Sequence, residues 1–564
     1  MAPFGVRQYR QLLGGCVSIT LVAFFLASSS SVLSGHFLGE SALTGVSLAS
    51  PLFTLCSFLT SLIGAGTGIN YSLRRGGLDR EGAVSVFMQG VWTVLASGIA
   101  TALAAWFSRD GFLALMTSDP EVVRYAVDFW RWLPLGLAFM CFSGVLYNCC
   151  YCDGDTFFAT VITVAQCALT LGVSYSALRG GYGAASCSAG FAAGYLFTCV
   201  ALSLHFLRRS NTFRFAWRFD PRETWTIVKT SAGDALSFLG DAVVYVALGC
   251  VLSRSFGPAA LIGLPVFVFV NEFLSYANGF SAAMQPIVAV YFGERNHRSV
   301  REVSAYVFGS LAAISALVTI FLLVFPGVVL LALGIDDPSV GRIVRIAALT
   351  ALPLTLTNLF NNYLQLVERE RLAVGLTVFY WFVLPFLALL VFPVFGEGGF
   401  WFWGAACRWL GVLLFGLFMI RRYGRDRFPL LLDREREAAI FTFDLLLREM
   451  EVAVTAEAVA KRMEEFGVRR ERAMKARLLV EESLMVVKER NAGKEVHAEV
   501  TLDFNDGVVI TLRDDGVIFD ITDADAKVNG LRTYLVATMM QHQSEKSNVL
   551  TTGFNRNIFR FDPV

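Results

Sequence analysis

Twelve apolar stretches, each long enough to cross a bilayer, fill the first three-quarters of this chain. They fall at about 11–35, 43–71, 84–107, 125–150, 157–178, 185–207, 226–254, 260–291, 303–333, 343–366, 372–395 and 399–420. A helix crossing the hydrocarbon core needs about 20 mostly apolar residues, and lipid offers no partner to an open backbone group, so each stretch is expected to be helical. With 55% hydrophobic residues among 564, an ordinary soluble enzyme is excluded. Charge density changes abruptly after Arg421-Arg422-Tyr423-Gly424-Arg425. Residues 1–429 hold 28 basic and 22 acidic side chains, about 12% charged, whereas residues 430–564 hold 19 and 24, about 32%. An all-α polytopic membrane domain carrying a water-soluble tail is the expected fold class.

Basic residues set the expected orientation. Arg7 and Arg10 precede the first stretch, and Arg74, Arg75 and Arg80 follow the second. Arg208–Arg222, Arg295–Arg301 and Arg369–Arg371 follow the sixth, eighth and tenth. With an even span count these loops share one side, so both termini are expected in the cytoplasm of a multi-pass cell-membrane protein. No cleavable leader is expected, because the first apolar run lacks a small-residue cleavage site. The tail has no basic stripe with interleaved aromatics, so nucleic acid is not an expected partner. All eleven cysteines precede residue 408. Cys149, Cys150 and Cys152 form the one tight group, read as small apolar helix residues rather than a soft-metal site, and no metal is assigned.

The chain also repeats itself. "LRRGGLDRE" (Leu73–Glu81) follows the second stretch and "FGERNHRSVRE" (Phe292–Glu302) follows the eighth, each after a long helix rich in small residues. Two six-helix lobes, 1–210 and 211–425, are expected, joined by the basic Arg208–Arg222 linker. The pattern "LGESALTGVSLASPLF…GAGTGINYSLRRGGLDREGA" resembles the first half of a multidrug and toxic compound extrusion (MATE) transporter. "FGPAALIGLPVFVFVNEFLSYANGFSAAMQPIVAVYFGERN" is similar to the same region of the second half. The resemblance covers about residues 1–425. It implies an antiporter that exports organic cations or drugs in exchange for H+ or Na+, in a superfamily that includes lipid and oligosaccharide flippases.

A charge at bilayer depth is costly, so carboxylates there are candidate functional groups. Asp234 and Asp241 lie seven residues apart on one face of the seventh stretch, with Tyr245 one turn further. Glu272 lies in the eighth beside Asn271. Asn358, Asn361, Asn362 and Gln365 form a polar stripe spaced i, i+3, i+4, i+7 in the tenth. Asp241 or Glu272 is expected to exchange H+ or Na+ while the cavity changes sides. Packing glue between helices is the competing reading, and for the amide stripe the two are indistinguishable. Many MATE relatives carry an aspartate in the first span, in a stretch like "VDTIFVG"; here that stretch is "SSSVLSG" and the position falls on Ser30. Coupling is therefore expected from the second half. Asp128 and Arg131 are placed to neutralise each other, and Arg408 in the twelfth stretch needs a partner, a cavity or room to snorkel.

Residues 438–564 read as a compact α/β unit. A strand is expected over 441–450, helices over 457–467 and 471–490, and a hairpin around Asn505-Asp506-Gly507. A further helix near 530–541 and a strand pair near 548–561 close it. "LLVEESLMVVKERN", "LRDDGVIFD", "NGLRTYLV" and "NVLTT" together resemble the histidine-kinase-like ATPase sandwich, in the form of the anti-sigma serine kinases. That resemblance implies a site for ATP or another nucleotide, with Asp514 and Gly516 at the adenine, Gly530 at the phosphates, Thr551 by the base and Glu482 as catalytic base. The metal-binding asparagine of the family falls on Val486, and its second turn glycine on Ile518. A regulatory nucleotide-binding-like domain is thus expected ahead of an enzyme. The expected whole is a secondary exporter of a small-molecule or lipid-like substrate, tuned by its tail through nucleotide or a cytosolic protein partner. A flippase of the same superfamily and a membrane-anchored protein serine kinase are the alternatives.

Overall fold

The computed structural model describes residues 3–68, 70–71, 80–152, 156–206, 220–425, 427–432, 434–505, 507–517 and 555–561. Among them, twelve helices are long and apolar enough to cross a membrane. They are Phe4–Leu38, Glu40–Gly68, Glu81–Met116, Leu133–Cys150, Phe157–Arg179, Ala185–Leu204, Ala235–Phe256, Ala259–Gln285, His297–Val324, Pro338–Leu366, Glu370–Phe400 and Phe402–Tyr423, numbered below as spans one to twelve. The chain divides into two compact units. One gathers Met1–Gly14, Ala282–Gly309 and Phe418–Val564; the other gathers Gly15–Ser281 and Ser310–Leu417.

The fourth expected stretch, 125–150, is broken. A helix over Pro120–Phe129 ends in a turn at residues 130–132, and a new helix starts at Leu133. Asp119 caps the short helix, its Oδ1 accepting the Glu121 N–H at 2.9 Å, and Pro120 occupies the first position, where no N–H is needed. The second half repeats the device. Asp337 accepts the Ser339 N–H at 2.9 Å, Pro338 opens a single turn, and a short helix over Gly341–Ala348 precedes Ala351–Leu366.

In the larger unit the two halves of the chain pack alike. Span one lies on span eight: Phe24 meets the rings of Phe269 and Phe273 at 5.2 and 5.5 Å, and a Cβ on Gly279 would fall 2.7 Å from the Val17 backbone. The seventh helix, Pro221–Val251, lies on span two in the same way. Ser231 donates its hydroxyl to the Leu62 carbonyl at 2.5 Å, and a Cβ on Gly66 would fall 2.3 Å from the Ile227 carbonyl. Each half lays its first helix on the second helix of the other. Glycine at 66 and 279 permits backbone approach that any side chain would prevent.

In the smaller unit, four antiparallel strands form a meander: β1 Ile440–Leu446, β2 His497–Asp503, β3 Val508–Asp514 and β4 Asn555–Phe561. Helices Glu449–Glu465 and Arg470–Arg490 cover one face, burying Leu445, Val500, Leu512 and Phe559 against Val459, Met463 and Leu479. The hairpin expected around Asn505-Asp506-Gly507 forms, β2 pairing with β3 up to Asp503 and Val509, with Gly507 at φ 105°. The strand expected over 441–450 ends at Leu446, and the helix expected from 457 begins at Glu449. Arg448 is extended, and Glu451 Oε2 reaches back to accept the Leu446 N–H at 2.9 Å, which turns the chain early. The helix expected near 530–541, and residues 548–554 of the expected closing strand pair, lie outside the described residues.

Candidate functional site

Spans one, two and eight bring side chains together around a cavity of about 90 Å3. Its wall holds Ser28, Ser30 and Ser31 from span one, Ser50, Thr54 and Ser57 from span two, and Phe269 and Glu272 from span eight. A second cavity of about 400 Å3 adjoins it, sharing Ser57, Met140 and Tyr195. Thr60, Ser143, Tyr147, Asn148 and Gln166 add neutral polar groups there. The first cavity has room for several waters and the second for a small organic molecule.

Glu272 is the one charged residue among the described residues that line either cavity. No ion pair or hydrogen bond holds its carboxylate among them. Ser30, at the position where the resemblance would put an aspartate, faces the same space. The carboxylate is therefore supplied from the second half, opposite a wall of hydroxyls from the first.

Asp241 has a different setting. Arg408, buried in span twelve, reaches it at 3.8 Å and donates to the Tyr380 carbonyl at 3.1 Å. Its guanidinium also stacks 4.6 Å from the Tyr380 ring and 5.4 Å from that of Trp381. The partner that Arg408 required is thus one of the two expected ion-exchanging carboxylates. Asn271 donates to the Tyr245 hydroxyl at 2.6 Å, linking spans seven and eight one residue from Glu272. Asp234 lies on the seventh helix, and its side chain is outside the described residues.

The amide stripe splits. Asn362 donates to the Asn358 carbonyl at 3.1 Å and reaches Ser281 at 3.4 Å, whereas Asn361 Oδ1 and Gln365 Nε2 are buried without a hydrogen-bond partner among the described residues. None of Asp241, Tyr245, Asn271 or the four stripe residues lines the two cavities. Sequence reasoning missed the hydroxyls of spans one and two. Ser57 donates to the Phe53 carbonyl at 3.1 Å and Thr54 to the Pro51 carbonyl at 3.0 Å, a bonding that makes such residues look like ordinary helix components. Among the smaller features, Asp128 pairs with Arg131 at 3.4 Å as expected and also accepts the Ala185 N–H at 2.9 Å.

In the tail, Asp514 is buried at the end of β3. Its Oδ1 accepts from Asn555 Nδ2 at 2.8 Å and from the Gly516 N–H at 3.1 Å. Burial pushes its carboxyl up to about 6 despite those two bonds, which pull it down. A Cβ on Gly516 would meet Asn491 Nδ2 at 2.5 Å, so the turn packs against the end of the Arg470–Arg490 helix. Glu482 is half-buried on that helix, and Val486, where the resemblance would put a metal-binding asparagine, packs into the core. Gly530 and Thr551 lie outside the described residues.

The raised Asp514 value has a definite sign. The folded tail holds this proton more tightly than the unfolded chain, so the destabilisation is absent below about pH 4 and grows to its full size above about pH 6. Asp514→Asn keeps the Oδ1 acceptor and is expected to stabilise the tail of the full chain at pH 7.5, by up to about 3 kcal/mol. Thermal unfolding checks this: the gain must fade by about pH 4. A gain equal at both pH values would refute it.

The MatE family profile matches residues 16–176 and 235–389. No curated protein matches the chain. Solved structures share the fold. An inward-facing conformation of a multidrug resistance MATE family transporter of the MOP superfamily superposes with a TM-score of 0.63 at 18% identity, covering 72% of this chain and 98% of that one. The outward-facing conformation gives 0.61 at 19%, covering 76% and 99%. A MOP superfamily transporter from Pyrococcus furiosus Vc1, described as having a binding pocket of reverse polarity, gives 0.60 at 17%, covering 74% and 98%.

Proposed function

The chain belongs to the MATE family of membrane transporters, and we propose that it works as an exporter of organic cations, driven by H+ or Na+ moving inward. One observation carries this reading: two adjoining cavities walled by apolar, aromatic and neutral polar side chains contain, among the described residues, one carboxylate, Glu272. A lone charge in a desolvated, aromatic-lined space favours a cation of matching charge over an anion or a neutral lipid headgroup. The substrate cation and the coupling ion compete for it, so loading one expels the other. Ser28, Ser30, Ser57 and Tyr195 supply hydroxyls at which a desolvated H+ carrier or Na+ finds oxygen ligands.

Both termini lie in the cytoplasm in this proposal, and the tail tunes transport. ATP or another nucleotide would be read by Asp514 in its D-x-G turn, next to Gly516. Val486 in the core offers no ligand to a metal, so regulation is favoured over phosphoryl transfer. The test is efflux of a fluorescent organic cation from lipid vesicles under an imposed pH or Na+ gradient. Transport that ignores both gradients would refute the exporter, and scrambling of a labelled lipid in its place would favour a flippase.

A further inference from the structure

The outer face of the tail sheet has a composition suited to water, yet it is buried. Helices cover the other face, so alternate strand residues on this one would ordinarily be solvated. Glu499 stands opposite Arg513 and Thr501 opposite Thr511 in the β2–β3 register, and each is at most 5% exposed. The chain itself covers them. Its first turn and the segment joining spans eight and nine belong to the same compact unit as the tail.

A charge network fills the contact. Glu294, between spans eight and nine, pairs with Arg513 and, at 2.7 Å, with Arg556 on β4. Arg513 also pairs with Glu499, whose Oε2 accepts the Tyr291 hydroxyl at 2.8 Å. The Arg513 guanidinium lies 4.3 Å from the Tyr291 ring. Two carboxylates and two guanidiniums balance, which lets the face be buried against this partner and penalises any partner lacking a charge at the Glu294 position. The rim adds directional contacts. Asp444 accepts the Phe4 N–H at 2.7 Å, and Arg7 and Arg301 pair with Asp515 and Glu437 at 3.6 and 2.8 Å.

We propose that this face is an intramolecular docking surface. Through it the tail braces the first turn of span one, from one half of the repeat, against the segment after span eight, from the other. Just beyond the two gripped pieces, spans one and nine also touch, Arg10 donating to the Tyr306 hydroxyl at 2.8 Å beside the Tyr9–Tyr306 edge contact. Span one is a single helix over Phe4–Leu38, held here at its start and carrying Ser28, Ser30 and Ser31 to the cavity wall. Alternating access requires the halves to move against one another, and a brace across both restrains that motion. This deepens the regulatory role proposed for the tail, and it requires neither a nucleotide nor a particular cargo.

The test uses the full chain in lipid vesicles, with native cysteines replaced and Ser57→Cys introduced. A membrane-impermeant maleimide added on the tail side reports cavity access, and amide hydrogen exchange reports docking. Glu294→Gln alters the receiving segment and leaves the tail sequence intact. It is expected to raise exchange in β2 and β3 by about tenfold or more and to speed thiol labelling several-fold. Arg301→Glu is expected to act in the same direction, with Glu437→Arg in the same chain restoring both readouts. Unchanged exchange in both single variants would overturn the docking surface, as would failure of the Glu437→Arg rescue. Raised exchange with unchanged labelling would overturn the brace. Neither readout depends on cargo, so absent cation efflux would count against the exporter alone.

Discussion

Glu272→Gln is expected to slow gradient-driven cation transport by about tenfold or more while the protein remains folded. The loss of one charge-assisted contact amounts to about 1.5–3 kcal/mol, and 1.4 kcal/mol is a factor of ten. Glutamine preserves shape and one carbonyl acceptor, so what chiefly disappears is the charge proposed to be shared by substrate and coupling ion. Nothing among the described residues neutralises that charge in the resting cavity. A carboxylate left so exposed to low dielectric has its state set by whatever enters. Asp241→Asn is expected to affect coupling far less, because Arg408 already accompanies Asp241. Efflux from reconstituted vesicles under imposed pH and Na+ gradients measures both variants. An unchanged rate and unchanged ion dependence in Glu272→Gln would remove Glu272 from the mechanism.

The membrane part was legible wherever a single segment decides its own structure. Apolar length alone located the twelve helices, because lipid offers the polar backbone of an apolar stretch no partner outside the helix. The break before Leu133 was missed since an apolar count ignores capping, although Asp119-Pro120 and Asp337-Pro338 signal it twice. Pairings across the chain were beyond reach: the need of Arg408 for a partner was evident, but Asp241 lies 167 residues away. Likewise the alternation of Glu499, Thr501, Thr511 and Arg513 with apolar residues describes a half-solvated sheet. Only the placement of Tyr291 and Glu294 against it turns that face into a contact. Glu272 was found because burial of a carboxylate is costly in any membrane helix, whereas the serines that complete its cavity are common helix residues.

Arg408→Met should cost about 3 kcal/mol of stability, close to the lower end of what removing one member of a buried ion pair does. The lower end applies because the Asp241 side chain is 21% exposed and the pair is loose at 3.8 Å. Three losses combine. Asp241 keeps an uncompensated charge, the Tyr380 carbonyl loses its guanidinium donor, and the stack on Tyr380 and Trp381 disappears. Methionine fills much of the same volume, so a cavity contributes little. The pairing therefore predicts non-additivity: Asp241→Asn in the Arg408→Met background is expected to recover about half the loss, since it removes the stranded charge but neither the carbonyl contact nor the stack. Thermal unfolding of the detergent-solubilised chain, followed by loss of the monodisperse peak, compares the parent, both single variants and the double. If Arg408→Met unfolds with the parent, or if the second substitution adds to the damage, Arg408 and Asp241 do not stabilise one another. Recovery in the double variant would identify Asp241 as a structural counter-ion and leave Glu272 as the carboxylate free to exchange ions.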